Sequence, residues 1–206
     1  SDMIPVLGSW DYPEIFADLF RVMFKPVKPL AQRINATMTR LGLVEDQYVS
    51  VHVRARYPRK FIVRMTRSDG DFSKFDQGGD VPFEGDYKTF ITDLLENAIH
   101  CGHLLAPDLP LYIASDHNNV TNHAITHDFS GDNGTTFRPV GIQSDKMPKH
   151  IFTSVEANVD EFSSVFEDLL IMGGSKCVSH GIGSFGTLGA FLSGNKCRAA
   201  HRHPNG

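Results

Sequence analysis

The chain has 206 residues and a net charge of −4, and 41% of its residues are hydrophobic and 21% are charged. This length and composition predict a single globular domain over residues 1–206. The slight excess of acidic residues argues against a surface that binds nucleic acid. No apolar run reaches the roughly 20 residues of a membrane-spanning helix, so the domain itself is not expected to contact a membrane.

Two helices are predicted before the first strand. Apolar residues recur at helical spacing over residues 13–23 and again over residues 30–41. Pro29 is well placed to open the second helix, because its fixed φ suits a first helical turn. Gly42 is expected to end that helix, since glycine readily adopts the left-handed conformation found after a helix end.

The first strand is predicted over residues 48–54, which alternate and are rich in β-branched side chains. Period 2 places His52, Arg54 and Arg56 on one face of this strand and valines on the other. The following stretch, residues 57–85, is polar and long for a simple connection, which is typical of functional or mobile loops.

The rest of the chain continues to alternate between helices and strands. Asp86 is a candidate N-cap for the first of these later helices. Strands are predicted over residues 111–115, 137–140 and 176–180, and helices over residues 86–100, 119–127, 160–172 and from Ser184 onward. The polar tail, residues 198–206, is expected to fray.

This order of elements predicts an α/β fold with three layers, in which a Rossmann-like, mostly parallel sheet carries helices on both faces. Ligands bind such sheets beyond the carboxyl ends of the strands. In this sequence those ends carry the segments 54–56, 115–117 and 180–184. These segments are therefore the first candidates for a binding site.

A glycine-rich turn, Gly181-Ile-Gly183-Ser-Phe-Gly186, joins the last predicted strand to the last helix. Its spacing matches a dinucleotide fingerprint, but that motif belongs after a first strand and needs an acidic residue about 20 positions later. No acidic residue follows this turn. A phosphate cradle is favoured instead, in which the Ser184 hydroxyl and the N–H groups of the first helical turn donate hydrogen bonds. A turn without a ligand is the remaining interpretation.

His52, Arg54 and Arg56 form a second group of candidates. Arginine carries a planar, permanently charged fork of donors that fits phosphate oxygens. Arg54, at the end of the strand, is the expected phosphate ligand, and Arg56 is a further candidate for that role. The alternatives are ordinary ones: a buried histidine is often a hydrogen-bonded core residue, and arginines at strand ends are often solvated or ion-paired.

Asp116 and Asp168 are the acidic candidates. Asp116 follows the strand 111–115, where it can accept a hydrogen bond from a ribose or base or cap the next helix. Asp168 lies in the helix before the glycine turn, and its position alone fits an ordinary helix residue. Histidines and cysteines do not occur at the spacing of a metal site, so no metal ligand is predicted.

The sequence leaves the state of its three cysteines open. Cys177 and Cys197 flank the glycine turn and can pair, which would leave Cys101 free, but three buried thiols fit equally well. A protein of the secretory pathway is mildly favoured by three N-x-S/T sequons, at Asn35, Asn119 and Asn133.

Three sequence segments stand in a recognisable order: Val51-His-Val-Arg54, Leu111-Tyr-Ile-Ala-Ser-Asp116, and Asp168-Leu-Leu through Ser184-Phe-Gly186. Together they resemble the fucosyltransferase superfamily, which includes the α1,6- and O-fucosyltransferases and their plant and algal relatives. The upstream segment 19–26 is similar to the one that precedes the first motif in plant-type members. The resemblance extends from about Leu19 to Gly194, which is nearly the whole chain.

The resemblance implies the C-terminal, Rossmann-like half of a GT-B glycosyltransferase. Such a domain binds GDP-fucose without a metal or other cofactor, and the enzyme transfers fucose with inversion to a glycan or protein acceptor. Arg54 matches the catalytic arginine that holds the donor pyrophosphate and stabilises charge on the leaving GDP. Ser184 matches a phosphate ligand, and Asp168 matches an aspartate associated with guanine recognition. The other donor-binding candidates in or beside the matched motifs are His52, Arg56, Asp116, Gly183, Phe185 and Gly186.

In this family an N-terminal half of comparable size supplies contacts to the acceptor. The first motif begins at Val51, so the chain is expected to be the donor-binding half or a natural one-domain relative, with weak or no transfer on its own. The resemblance also implies the lumen of the Golgi or the endoplasmic reticulum, with any membrane anchor upstream of this chain.

The chain departs from the α1,6-type pattern at Ala55, Tyr57 and His117. Many members carry a second arginine, an acid and a paired acid at these positions, and Arg56 lies one position beyond the missing arginine. These departures leave a second hypothesis open, a non-catalytic module that binds a nucleotide or sugar. A third hypothesis, an NAD(P)-binding oxidoreductase, rests on the literal glycine spacing alone.

Overall fold

The structure, a computed structural model, describes residues 12–56, 85–131, 134–145, 162–194 and 197–202. The polar stretch 57–85 lies outside the described residues except at its last position, and so does the sequon at Asn133. Within the described ranges, no helix is long and apolar enough to cross a membrane.

Helices and strands alternate along the described chain. The helices are α1 (Tyr12–Met23), α2 (Lys28–Leu41), α3 (Gly85–Leu105), α4 (Asn118–Thr126), α5 (Ser163–Gly173) and α6 (Ser184–Leu192). The strands are β1 (Val49–Val53), β2 (Leu111–Ser115), β3 (Phe129–Ser130), β4 (Thr136–Phe137), β5 (Val140–Gly141), β6 (Cys177–His180) and β7 (Arg198–Ala200).

Five strands form one sheet in the order β5-β2-β1-β6-β7, and each neighbouring pair is parallel. Helices cover both faces, so the predicted α/β fold with three Rossmann-like layers is confirmed. The register places His52 beside Ala114 on one side and His180 on the other. The carboxyl ends of the three central strands therefore lie at one edge of the sheet.

One face of the sheet packs against α3 and α4. The apolar residues of α3 that predicted a helix are the residues it buries, and they meet Val51 and Ile113 of the sheet. Gly102 lets α3 approach closely, because a β-carbon there would lie 2.5 Å from Cγ2 of Val51. Burial of each such apolar side chain contributes about 2 kcal/mol to stability. The sum of these contributions is the main force that holds the α3 and α4 layer on the sheet.

The other face packs against α1, α2, α5 and α6. Tyr48 and Tyr112 are fully buried on this face together with Ile171 and Met172 of α5. The Tyr48 hydroxyl donates a hydrogen bond to the backbone carbonyl of Ile171. Gly189 lets α6 approach α5, since a β-carbon there would lie 2.6 Å from Cε of Met172.

A buried carboxylate joins α2 to α5. Glu167 is only 1% exposed and accepts hydrogen bonds from Nε of Arg33 and, at 2.5 Å, from the hydroxyl of Thr37. The Arg33 guanidinium also donates to the Ser163 hydroxyl at 2.9 Å. A charge buried this deeply is stable only with such partners, so Glu167 fixes the position of the helix that carries Asp168.

Most helix boundaries agree with the sequence predictions. Pro29 lies in the first turn of α2, and Gly42 ends that helix with a left-handed φ of 67°. The helix α3 differs at both ends, since it begins at Gly85 and continues to Leu105. Asp86 therefore lies within its first turn and is not the N-cap residue that the sequence predicted.

Two predictions, one about a strand and one about the tail, were wrong. The single strand expected over residues 137–140 is divided into the ends of β4 and β5, which belong to different sheets. Pro139 lies at the break, where it lacks an N–H for pairing and restricts the residue before it. The tail does not fray at its start either, because β7 pairs in parallel with β6.

A disulfide explains the ordered start of the tail. Cys177, at the start of β6, is bonded to Cys197, which directly precedes β7, and Cys101 is a free thiol. The pairing that the sequence left open is therefore present. It holds residues 198–200 beside the edge of β6, where their backbone groups complete the sheet.

Candidate functional site

Arg54 and the glycine turn lie together at the carboxyl ends of β1 and β6. A β-carbon at Gly183 would lie 2.7 Å from Nη1 and 3.3 Å from Cδ of Arg54. Gly183 also has φ 121° and ψ 157°, a backbone conformation that is essentially restricted to glycine. Both facts require glycine at this position, because only then can the guanidinium lie flat against the turn.

The first turn of α6 adds backbone donors to this arginine. Gly183 is its N-cap residue and makes no side-chain cap, and Ser184 is the exposed first residue of the helix. The N–H groups of Ser184, Phe185 and Gly186 begin the helix, where backbone donors lack partners within the helix. These N–H groups, the helix dipole and the Arg54 charge together favour an anion at the turn.

The rings of His52 and Phe185 pack against each other beside the glycine turn. Their rings lie 5.1 Å apart, and His52 is only 5% exposed. A β-carbon at Gly186 would lie 2.7 Å from Cβ of His180 and 2.9 Å from Nδ1 of His52. The third glycine of the turn thus lets α6 pack directly onto β1 and β6.

His52 is a neutral residue at physiological pH. Burial lowers its pKa to about 3, and electrostatic repulsion from the nearby His201, His180 and Arg54 side chains makes smaller contributions in the same direction. A neutral imidazole adds no charge to an anion site. The permanent positive charge at the turn therefore comes from Arg54, and His52 contributes shape.

Asp116 organises the backbone beyond β1. Its Oδ1 accepts hydrogen bonds from the N–H of Ala55 at 2.6 Å and of Arg56 at 3.2 Å, and its Oδ2 accepts from Arg56 N–H at 3.3 Å. The capping role that the sequence allowed for Asp116 belongs to His117, whose Nδ1 accepts from the N–H of Asn119. Asp116 thus fixes the chain direction directly after Arg54.

Arg56 is half-buried beside Asp116, and its backbone carbonyl accepts a hydrogen bond from Nε of Arg54 at 3.4 Å. Tyr87 of α3 lies near the same groups. Burial raises the pKa of Tyr87, and the negative charge of Asp116 adds to this effect. The segment 54–56 is therefore held by Asp116 on one side and packed near α3 on the other.

Asp168 lies in a second region at the same edge of the sheet, beyond β2 and β5. It lines a small pocket that opens to solvent, with a cavity volume of about 30 Å³. The remaining lining residues are small or polar: Ser115, Asn118, Thr121, Ile142, Ser144 and Ser164. They come from both helical layers and from two strand ends, so the pocket lies across the edge of the sheet.

Tyr112 of β2 holds the Asp168 carboxylate through a hydrogen bond. Its hydroxyl donates a hydrogen bond to Oδ1 of Asp168. Burial raises the pKa of Asp168 to about 7, opposed by the Tyr112 hydrogen bond, with a further rise from Glu167 and a fall from Arg33. Asp168 therefore changes charge near neutral pH, which is unusual for an aspartate.

The predicted residues thus fall into two regions joined by the sheet edge. One group meets at the glycine turn: Arg54, Gly183, Ser184, Phe185, Gly186 and His52. Asp168, in contrast, lines the pocket and is hydrogen-bonded to Tyr112. Since β2 and β6 are separated by β1 alone, the two regions are about 10 Å apart at the usual strand spacing. Asp116 and Arg56 lie between them.

Several residues of the site were not predicted. Tyr112, which hydrogen-bonds Asp168, lies in a strand that the sequence identified only as apolar, and Asn118, Ser144 and Ser164 of the pocket carry no motif. Ser115 is different, because it lies in the segment 115–117 that the sequence identified as a candidate from its place at a strand end. The pocket is assembled from segments up to 53 positions apart in sequence, between Ser115 and Asp168, so spacing alone did not reveal it.

The sequence matches no model of a protein family and no curated protein. Among the residues that the structure describes, no group of three or more histidine, cysteine, aspartate or glutamate side chains is arranged to hold a metal ion. The function is therefore argued from the geometry of the two regions.

Proposed function

We propose that this domain binds a nucleotide sugar, GDP-fucose, and serves as the donor-binding domain of a metal-independent, inverting fucosyltransferase. The observation that carries the proposal is the convergence of Arg54 and the α6 start on one glycine turn, with a polar, carboxylate-containing pocket at the same sheet edge. The pocket is two strands away, which corresponds to about 10 Å at the usual strand spacing. This separation is comparable with that between the diphosphate and the base of a nucleotide.

The glycine turn supplies the features that a diphosphate requires. Arg54 offers a charged, forked donor, and α6 offers backbone N–H groups at the positive end of its dipole. Gly183 keeps side-chain atoms out of the space against Arg54. The Ser184 hydroxyl, exposed at the first position of α6, is a further donor within this arrangement.

The polar pocket supplies the features that a guanine base requires. Guanine presents two adjacent N–H donors, and an ionised Asp168 presents two acceptor oxygens. Serine hydroxyls and the Asn118 amide line the remaining walls. The ribose would then lie along the sheet edge, between the pocket and the turn.

The role of Arg54 in transfer would be electrostatic. As the bond from the sugar to the diphosphate breaks, negative charge grows on the leaving phosphate oxygen. Arg54 and the N–H groups of α6 would stabilise that charge in fixed positions, which lowers the barrier without a metal ion. In this proposal the acceptor is a glycan or a protein side chain that attacks from the opposite side of the sugar.

The disulfide supports a location in the secretory pathway. Cys177 and Cys197 are bonded in the folded domain, and such bonds persist in oxidising compartments. We therefore include the lumen of the Golgi or the endoplasmic reticulum in the proposal.

Isothermal titration calorimetry tests the binding step. We expect GDP and GDP-fucose to bind, and UDP and NAD to bind at least tenfold more weakly or not at all. Arg54→Ala is expected to reduce GDP affinity by about 1.5–3 kcal/mol, the usual contribution of a hydrogen bond to a charged group. Arg138→Ala is the matched control, because it removes the same charge from an exposed pair with Asp128.

Two results would contradict the proposal. Absence of binding by any GDP compound would exclude a GDP-sugar site. Equal affinity of wild type and Arg54→Ala for GDP would remove Arg54 from the phosphate site, even if GDP binds elsewhere.

One observation favours a second candidate, a module that binds the nucleotide sugar without transferring it. Both carboxylate oxygens of Asp116 accept hydrogen bonds from the backbone N–H groups of Ala55 and Arg56. This aspartate is therefore engaged in structure and not positioned as a general base. The domain alone is expected to transfer weakly or not at all, so the two candidates are separated after an N-terminal acceptor-binding half is restored. GDP release from GDP-fucose with glycan acceptors is then expected only from the transferase.

A further inference from the structure

The carboxylate of Asp168 is oriented by one buried hydroxyl. Tyr112 is fully buried in β2, and its hydroxyl donates a hydrogen bond to Oδ1 of Asp168. Asp168 itself is half-buried and faces the pocket that it lines. The carboxylate is thus tied at one oxygen to the sheet, while the group as a whole remains at the surface of the pocket.

We propose that Tyr112 is a positioning residue that sets the nucleobase selectivity of the pocket by fixing the Asp168 carboxylate toward the ligand. This inference rests on the proposed function, since it assigns the base that the same site selects. A carboxylate oxygen has two lone pairs, so Oδ1 accepts from Tyr112 and keeps capacity for a ligand, as does Oδ2. The held carboxylate then presents a pair of acceptors in one plane.

A fixed pair of acceptors selects guanine over adenine. The hydrogen-bonding edge of guanine carries adjacent N–H donors at N1 and N2, which both meet acceptors. Adenine places the N1 acceptor beside its amino group, so one of its contacts would be acceptor against acceptor. A site built to pair donors rejects such a ligand strongly, because buried polar groups are left unpaired.

The charge state of Asp168 is controlled by the groups that surround it. Tyr112 faces it from β2, Arg33 faces it from α2, and Glu167 precedes it on α5. The Tyr112 hydrogen bond and Arg33 lower the pKa of Asp168, whereas burial and Glu167 raise it. Loss of the Tyr112 hydroxyl therefore raises the pKa further above about 7 and leaves a larger protonated fraction at neutral pH.

A protonated Asp168 presents a donor where guanine also presents donors. GDP affinity is therefore expected to fall as the pH decreases through the pKa of Asp168, by tenfold for each unit below it. In Tyr112→Phe the midpoint of this decrease should move upward by about one pH unit, because a hydrogen bond to a charged group contributes about that much. The ratio of GDP to ADP affinity at pH 7 should fall about fivefold, because the ionised fraction of Asp168 falls from about one half to about one tenth.

The experiment measures GDP and ADP binding by calorimetry from pH 5.5 to 8.5 in wild type, Tyr112→Phe and Tyr48→Phe. Tyr48→Phe is the matched control, because Tyr48 is also fully buried and its hydroxyl donates to α5, but to the Ile171 carbonyl. NMR titration of the Asp168 carboxyl carbon in the unliganded proteins follows the same change without a nucleotide.

The inference is supported if only Tyr112→Phe moves the GDP midpoint and the Asp168 titration upward and loses selectivity. It is overturned if Tyr112→Phe and Tyr48→Phe behave alike, while GDP binding by wild type still supports the proposed function. Absence of GDP binding by wild type overturns the proposed function and this inference with it.

A second variant covers the case in which Tyr112→Phe does not fold. Incorporation of 3,5-difluorotyrosine at position 112 keeps the hydroxyl and makes it a stronger donor. The GDP midpoint should then move downward relative to wild type. An unchanged midpoint in a folded protein would overturn the role of Tyr112.

Discussion

Gly183→Ala tests whether the glycine turn and Arg54 form one anion site. Gly183 has φ 121° and ψ 157°, so an alanine there costs on the order of 1–3 kcal/mol of backbone strain. The new β-carbon would also lie 2.7 Å from Nη1 of Arg54. Since the guanidinium is the end of a flexible side chain, it is the group that moves.

Displacement of Arg54 should appear as a loss of GDP affinity separate from the loss of stability. We expect Gly183→Ala to reduce GDP affinity by about 1.5–3 kcal/mol, the contribution of a charged hydrogen bond, which is roughly ten- to a hundredfold. Calorimetry at neutral pH measures the affinity, and urea unfolding measures the stability.

Gly194→Ala is the matched control, because it lies beyond the other end of α6. Gly194 also has a positive φ, 80°, but a β-carbon there meets nothing within 4 Å. This variant should lose about 1 kcal/mol or more of stability from backbone strain and keep its GDP affinity.

A double-mutant cycle makes the test independent of general damage. If Gly183→Ala acts by moving Arg54, then Arg54→Ala should make the second substitution nearly silent for GDP affinity, which is the non-additivity expected of residues in contact. Equal GDP affinity in Gly183→Ala and Gly194→Ala would refute the reasoning, and so would full additivity with Arg54→Ala.

Two further predictions concern stability. Reduction of the Cys177–Cys197 disulfide, which spans 20 positions, should lower the free energy of unfolding by about 3 kcal/mol. Urea unfolding with and without reductant measures this loss, and the control variant Cys101→Ala should respond as wild type does. A loss smaller than about 1 kcal/mol would contradict the prediction. The raised pKa of Asp168, about 7 against about 4 in an unfolded chain, means that the folded state binds more protons between these values. The free energy of unfolding of wild type should therefore fall as the pH rises from about 4 to about 7, and ionisation of Asp168 should change it little above pH 7. Asp168→Asn should lack this pH-dependent loss. The same pH dependence of unfolding in both proteins would rule out the raised pKa of Asp168.

The sequence alone predicted the elements whose signals are local. Helical spacing located α1 and α2, Pro29 and Gly42 marked the ends of α2, and β-branched alternation located β1. Such signals are reliable because capping, backbone freedom and amphipathic burial act within a few residues. The parallel α/β architecture followed from the alternating order of these elements.

Where local signals conflicted with long-range contacts, the long-range contacts prevailed. The polar tail 198–206 was expected to fray, yet residues 198–200 form β7, because the Cys177–Cys197 disulfide places them beside β6. The helix α5 is also joined to α2 by the charged pair of Arg33 and Glu167. No pattern in the sequence of either helix indicates this pair.

Residue types and chain order by themselves identified Arg54 and the glycine turn as candidates, because a charged fork and a turn before a helix are chemical properties of the sequence. Asp168 became a candidate only through the resemblance of its segment to a known family. Only the tertiary structure decided what each of them contacts. Arg54 lies against Gly183 from 129 positions away, and Tyr112 holds Asp168 from 56 positions away. The physical reason is that parallel strands distant in sequence end at the same sheet edge, so side chains meet there through register and packing and not through spacing along the chain.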